Sequence, residues 1–290
     1  MKKFKSFITE DVNLSPEEID NILRNVYDFH SEYTLKNNKV VTKASMYLSN
    51  ILYYKILPIQ IYSCNIFSIK SSKIESMYGF PNKASHIIVA NGVNIKKLDF
   101  ADIITNTFKI DNNTSIEKIF NINNDKLTSI QIDDTHNLEY FSIDKCSSEC
   151  TIWIMGCNKI DLKNILIKNK INHFSFGSTN PKFINFNDCN IKSNVGDFSL
   201  CSTLTSLDGF DTLEIENVYL KHMNPHVKNL SNLITSKTNI KIITFDNRDK
   251  SIDSNVLSKL VKHYVSFSNK EDYIMDFTVA LIDAGFEDQV

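Results

Sequence analysis

Between residues 100 and 250 the chain repeats a short Φ-x-Φ unit, where Φ is an apolar residue. Ile130-Gln131-Ile132, Ile152-Trp153-Ile154, Phe174-Ser175-Phe176, Phe198-Ser199-Leu200 and Val218-Tyr219-Leu220 are the clearest copies. Phe108-Lys109-Ile110 precedes them and Ile243-Thr244-Phe245 follows. Their last apolar positions, 110, 132, 154, 176, 200, 220 and 245, lie 22, 22, 22, 24, 20 and 25 residues apart. A second series runs between the first: Phe120-Asn121-Ile122, Phe141-Ser142-Ile143, Ile165-Leu166-Ile167 and Ile184-Asn185-Phe186. Alternation sends successive side chains to opposite faces of a strand, so the flanking apolar residues point inward and the middle residue outward. Each coil of about 22 residues therefore carries two extended segments. Coils stacked about 4.8 Å apart join such segments into parallel sheets over a continuous core. The expected fold is a right-handed, mostly β or α/β solenoid.

The flanks of the units refine this picture. Leu127-x-x-Ile130-x-Ile132-x-x-Thr135 and Leu138-x-x-Phe141-x-Ile143-x-x-Cys146 fit the leucine-rich-repeat frame L-x-x-L-x-L-x-x-N/C. Ile56-x-x-Ile59-x-Ile61-x-x-Cys64 fits it too, which places the solenoid at residues 56–250. The final position of the frame turns inward, where a small side chain can satisfy backbone groups left open by a bend. Cys64, Cys146, Cys157 and Cys189 all fall there.

Both ends read as helical. Over residues 15–35 Ser15 is an N-cap, Pro16 sits at N1 and Glu18 closes a capping box. Ile19, Ile22, Leu23, Val26, Phe29 and Tyr33 follow as one stripe. A second helix is expected from about Thr42 to Tyr54, with Met46, Leu48, Ile51 and Leu52. Two more are expected at about 254–266 and 270–284, with Gly285 at C′. A solenoid exposes apolar side chains and unpaired strand edges at its ends, so residues 11–55 and 251–290 read as helical caps.

Composition narrows the function. The 290-residue chain has 42% hydrophobic residues, 19 Phe and 11 Tyr, which excludes a disordered chain. A net charge of −2 and lysines interspersed with Asp and Glu argue against nucleic acid, and only Arg24 and Arg248 offer a guanidinium fork. No apolar run reaches about 18 residues, so no membrane span is expected. Lys2 and Lys3 are not followed by the apolar core of a secretory signal, which favours reduced thiols for the six cysteines.

Chemical motifs are sparse. Cys146, Cys150 and Cys157 could supply three zinc ligands, but no C-x-x-C pair exists, and bend positions explain the spacing more simply. His222 and His226 stand four apart, yet Pro225 breaks any helix that would align them. Asp111, Asp133 and Asp134 lie on adjacent coils and could meet over a cation, although acidic turn residues solvating a sheet edge explain them more simply. No nucleophile elbow, phosphate loop or dinucleotide fingerprint is present. The chain reads as a non-enzyme without cofactor or metal.

The stretch Asn194-Val-Gly-Asp-Phe-Ser-Leu-Cys-Ser-Thr-Leu-Thr-Ser-Leu-Asp-Gly-Phe210 resembles the degenerate leucine-rich repeats of tailed-phage proteins, approximately V-G-G-D-F-x-C-S-x-N-x-L-T-S-L-E-G-A-P. Only this copy is close; residues 100–190 and 210–245 keep the frame with other residues. The resemblance implies a curved solenoid with a binding role, its Phe198–Leu200 strand on the concave face. Met1-Lys2-Lys3-Phe4-Lys5-Ser6-Phe7-Ile8-Thr9-Glu10 is similar to the capsid-targeting sequence of T-even-type phage internal proteins, M-K-x-aromatic-x-x-F-I-x-E. That similarity implies cleavage between Glu10 and Asp11, packaging in the virion and injection into the host cytoplasm. Phe4, Phe7 and Ile8 could instead form one face of an amphipathic first helix.

If the first series of strands forms a binding face, its outward residues make a strip. The middle positions are Lys109, Gln131, Trp153, Ser175, Ser199, Tyr219 and Thr244. Asp111, Asp133, Met155, His173, Asp197 and Lys221 flank them. Trp153, the single tryptophan, lies between Ile152 and Ile154 and is aimed outward beside Met155, as an interface hot spot would be. It could also pack beneath a loop as ordinary structure. Two readings follow: a phage protein that binds and inhibits a bacterial host defence or restriction protein, or a virion component whose partners are capsid proteins.

Overall fold

The computed structural model describes residues 14–177, 186–199, 204, 206–223, 232 and 238–245. One helix, α1 (Pro16–Asn25), precedes a run of strands. The first are β1 (Thr34–Lys36), β2 (Lys39–Val41), β3 (Met46–Ser49), β4 (Ile61–Lys70) and β5 (Lys83–Val89). Then come β6 (Lys97–Asp99), β7 (Ile104–Asp111), β8 (Lys118–Asn123), β9 (Ser129–Asp133), β10 (Tyr140–Lys145) and β11 (Thr151–Met155). The last are β12 (Ile165–Ile167), β13 (Ile171–Gly177), β14 (Lys192–Ser199), β15 (Glu214–Met223) and β16 (Asn239–Phe245). In the large sheet β4, β5, β7, β9, β11, β13, β14, β15 and β16 follow one another in parallel. A small parallel sheet of β6, β8, β10 and β12 forms a second side. The fold is a mostly β solenoid of about eight turns of about 22 residues, with few helices.

Identical positions of successive coils stack into ladders. Ile110, Ile132, Ile154, Phe176, Phe198 and Leu220 are in register and fully buried. Beside them run Phe108, Ile130, Ile152, Phe174, Gly196 and Val218. The small sheet adds Ile119, Phe141 and Ile165, with Ile122, Ile143 and Ile167. Such stacking gives each apolar side chain a shape-matched neighbour above and below, which is how a narrow coil reaches interior packing density.

Counted along the Ile110 ladder, the spacing is 22 at every step as far as Leu220, so the unit expected at Phe198-Ser199-Leu200 is really Gly196-Asp197-Phe198. Gly196 occupies an inward position without a side chain, and this hid the unit from an apolar pattern. A Cβ there would stand 3.0 Å from Ile215 and 3.1 Å from Phe198, whose side chains fill the space. Likewise β16 joins the row at Ile242 rather than Thr244, after a register shift. In β8 a register irregularity lies beside Asn121 (φ 59°), and the inward residues are Ile119 and Ile122, with Phe120 only half-buried.

The N-terminal region differs most from expectation. The helix expected over 15–35 spans only Pro16–Asn25, with its capping box formed by Ser15 and Glu18 and with Ile19 and Leu23 buried. Beyond it the chain passes Asp28 at φ 50°, outside helical space. The helix expected from Thr42 to Tyr54 is absent. Met46-Tyr47-Leu48-Ser49 is instead β3, paired in parallel with Phe67–Lys70. Met46 and Leu48 are buried while Tyr47 and Ser49 are exposed, a period of two. Thr42 opens a turn, its hydroxyl donating to Glu32 O (2.8 Å) and accepting from Ala44 N (3.0 Å). Asn50 at φ 58° then ends the strand. Met46-Tyr47-Leu48, Phe67-Ser68-Ile69 and Ile87-Ile88-Val89 thus continue the ladder of Phe108-Lys109-Ile110, so stacked coils begin before residue 56. Cys64 consequently lies inside β4 opposite Ala84 rather than at a bend. The helices expected at 254–266 and 270–284 lie outside the described residues, as does Ile184-Asn185 of the second strand series.

One corner of six successive coils repeats a left-handed residue: Asn50, Ser71, Gly92, Asn112, Asp134 and Gly156 all have φ between 46° and 75°. Only glycine, and less readily Asn, Asp or Ser, adopts this conformation at low cost. At Gly156 a Cβ would stand 2.1 Å from Asp134 Oδ1 of the previous coil, so stacking as well as backbone conformation favours glycine. Next to this corner lie Asn113, Thr135 and Cys157, all fully buried. Asn113 donates to Ala90 O and Val93 O (3.1 and 3.2 Å), Thr135 to Asp133 O (3.2 Å), and the Cys157 thiol to Met155 O (3.5 Å). Asn113 thereby bridges two carbonyls across the bend, while Asp133 O and Met155 O also accept the backbone N–H of Asn112 and Asp134 from the preceding coil.

Candidate protein-binding face

In the large sheet parallel register places equivalent residues of successive strands side by side in rows. The central row reads Tyr47, Ser68, Ile88, Lys109, Gln131, Trp153, Ser175, Asp197, Tyr219 and Ile242. On one side run His86, Thr107, Ser129, Thr151, His173, Val195 and Asn217. On the other run Asp111, Asp133, Met155, Gly177, Ser199 and Lys221. Expected site residues Lys109, Gln131, Trp153 and Tyr219 therefore share one row. Asp197 joins it in place of Ser199, which moves to the row of Met155 and Lys221. His173 borders Trp153 diagonally. Glu10 and Asp11, the expected processing site, lie outside the described residues.

Trp153 is 38% exposed, and its ring centroid lies 6.3 Å from that of His173 at an interplanar angle of 38°. Ser175 and Gly177, on the strand beyond, are both buried and small. They leave a low floor between Trp153 and Tyr219, whose strands are three steps or about 14 Å apart. On the opposite flank Gln131 Nε2 donates to Asp133 Oδ2 at 2.5 Å, and Lys109 stands 3.9 Å from Asp111. Tyr47, 62% exposed, is a member of the row that the sequence pattern missed, because its segment reads as helix. Its signal was the alternation Met46-Tyr47-Leu48-Ser49 itself.

Other surfaces are organised differently. A shallow groove of about 860 Å³ beside the small sheet is lined by Glu75, Met77, Lys96, Asp99 and Glu117, among others. Its charges pair between coils: Lys55 with Glu75 at 3.2 Å and Lys96 with Glu117 at 3.0 Å. Among the described residues no group of three or more His, Cys, Asp or Glu could hold a metal, and no helix is long and apolar enough to cross a membrane. The thiols of Cys64, Cys157 and Cys189 are pushed up to about 12 by burial. That of Cys150 is raised by its hydrogen bond with Cys146 and by burial, so these side chains are poor nucleophiles.

No protein-family model, curated protein or solved structure matches the chain.

Proposed function

We propose that the protein is a non-enzymatic binding module of phage origin that engages and inhibits a bacterial host protein, of the defence or restriction class, through the outward side of its large sheet. The observation that carries this reading is the single tryptophan held on a flat strand row with its indole in solvent. A large aromatic side chain on a rigid, pre-ordered strand offers contact area at low entropic cost, which is the character of an interface hot spot. The phage affiliation rests on the Asn194–Phe210 resemblance; in this reading the solenoid is leucine-rich-repeat-like and α1 belongs to a helical cap. Affinity capture from bacterial lysate with wild type and Trp153→Asp tests it. A host protein retained by the first and lost by the second supports the reading, and retention by both moves the binding surface elsewhere.

A second reading is favoured by Ile8-Thr9-Glu10: a virion or prohead component with capsid partners, cut before Asp11. Intact mass of the protein from virions decides it. A chain beginning at Asp11 supports packaging, and a chain beginning at Met1 contradicts it.

A further inference from the structure

The rows of the large sheet contain a feature that sheets ordinarily avoid. Asp111 and Asp133 are directly opposite on adjacent strands, both outward, in the row that passes Met155. Like charges in this relation are destabilising. Asp134, exposed at the following corner, adds a third carboxylate. Among the described residues the one ammonium paired with either carboxylate is Lys109, 3.9 Å from Asp111 and on the same strand. Gln131 donates a single amide hydrogen bond to Asp133. Elsewhere the solenoid treats carboxylates differently. Asp125, Asp144, Glu117, Glu139 and Glu214 each have a lysine of an adjacent coil within 4 Å: Lys145, Lys168, Lys96, Lys159 and Lys192 respectively. Cross-coil cations are thus common, and among the described residues none pairs with Asp111 or Asp133.

Asp133 is opposite Met155 and diagonal to Trp153, within reach of anything resting on the indole. An exposed indole face attracts a cation through its quadrupole, most strongly when carboxylates stand beside it. We propose that the partner presents a lysine- or arginine-bearing segment here, its cation over Trp153 and its neighbouring charges answered by Asp111 and Asp133. This deepens the binding-module reading and rests on it, naming the chemistry of the partner surface. A nucleic acid is the opposite case, since its phosphates would meet three carboxylates and one lysine.

The single tryptophan supplies its own readout. Trp153 emission is followed while a hexa-arginine peptide is added at about 50 mM salt, where surface charges interact over roughly 14 Å. Hexaglutamate and a short single-stranded oligonucleotide serve as comparison ligands. The expected result is a saturable emission change with hexa-arginine alone. The change is weakened roughly fivefold or more in Asp111→Asn/Asp133→Asn, as the loss of two exposed charge contacts implies. It is unaltered in Asp125→Asn/Asp144→Asn, which removes two carboxylates on the small-sheet side. No emission change, equal weakening in both double variants, or a response to hexaglutamate or the oligonucleotide overturns the proposal. The binding-module reading fails separately. If a captured host protein is lost by Trp153→Asp but kept by Asp111→Asn/Asp133→Asn, the face binds and the basic-segment assignment is wrong.

Discussion

The large and small sheets of this solenoid are alike inside and unlike outside. Inward, both present isoleucine and phenylalanine ladders in parallel register, buried to the same degree. Outward, the small-sheet side ties coil to coil with lysine–carboxylate pairs. Lys145–Asp125 at 2.7 Å and Lys168–Asp144 at 2.6 Å are two of these: the Lys145 hydrogen bond lowers the Asp125 carboxyl, and the hydrogen bond to Asp144 raises the Lys168 ammonium. Each exposed pair contributes little by itself, but together they oppose a slip of one coil against the next. The large sheet omits such pairs beside Trp153, stacks two aspartates and leaves an indole in water. The core explains neither choice. Under the proposed function, local stability given up beside Trp153 and kept elsewhere is what selection for a contact surface would produce.

The comparison is sharpest when broken from the inside first. Ile154→Ala beneath the large sheet and Ile143→Ala beneath the small one should each lower unfolding free energy by about 2–5 kcal/mol, measured from urea midpoints at constant slope. Near-equal losses place the difference between the sheets on their outer surfaces alone; a small loss at Ile143 would make the small sheet peripheral. Next in size, Trp153→Ser should weaken capture of the partner by at least about 2 kcal/mol, or roughly thirtyfold, with Lys168→Ala unchanged. Neither substitution should move the urea midpoint by more than about 1 kcal/mol equivalent.

Much of this was legible in the chain, for reasons that also explain what was not. From Ile110 to Ile154 the period is unbroken and the inward residues are all large and apolar, so Lys109, Gln131 and Trp153 could be placed in one row from sequence. At Gly196 the inward position carries no side chain, and the frame slipped by two, exchanging Asp197 for Ser199. Between Met46 and Val89 the coils are 20 or 21 residues apart, and Leu48, Ile51 and Leu52 also stand at helical i, i+3, i+4 spacing. Pairing with β4 decides between the two periods, and that pairing is not local. A quieter signal crosses the gap: Asn50, Ser71, Gly92, Asn112, Asp134 and Gly156 mark the left-handed corner of six successive coils, through residue types suited to positive φ. Asp111 and Asp133, 22 residues apart within the unbroken stretch, could likewise be placed on adjacent coils from sequence, and the structure sets them directly opposite.

That corner gives the next comparison. Gly156→Ala should destabilise by about 1–3 kcal/mol, since alanine is strained at φ 66° and its Cβ meets Asp134. Asn112→Gly, on a corner already left-handed, should change stability by no more than a few tenths of a kcal/mol. Smallest, and opposite in sign between the two sides, are the charge deletions. Asp133→Asn should stabilise by a few tenths of a kcal/mol by relieving Asp111. Glu117→Gln should destabilise by a similar amount through loss of Lys96. Equal signs in paired denaturation curves would erase the distinction drawn between the two outer surfaces.

The most direct test uses the chain's single indole. Protein grown with 5-fluorotryptophan gives one fluorine resonance, from Trp153, which is recorded alone and with the captured host protein added. The account predicts a resonance that shifts or broadens on addition and loses its response to solvent quenchers, as an indole buried in a contact must. A resonance unchanged in position, width and solvent access in the complex would contradict it, and would remove the large-sheet face from the binding surface.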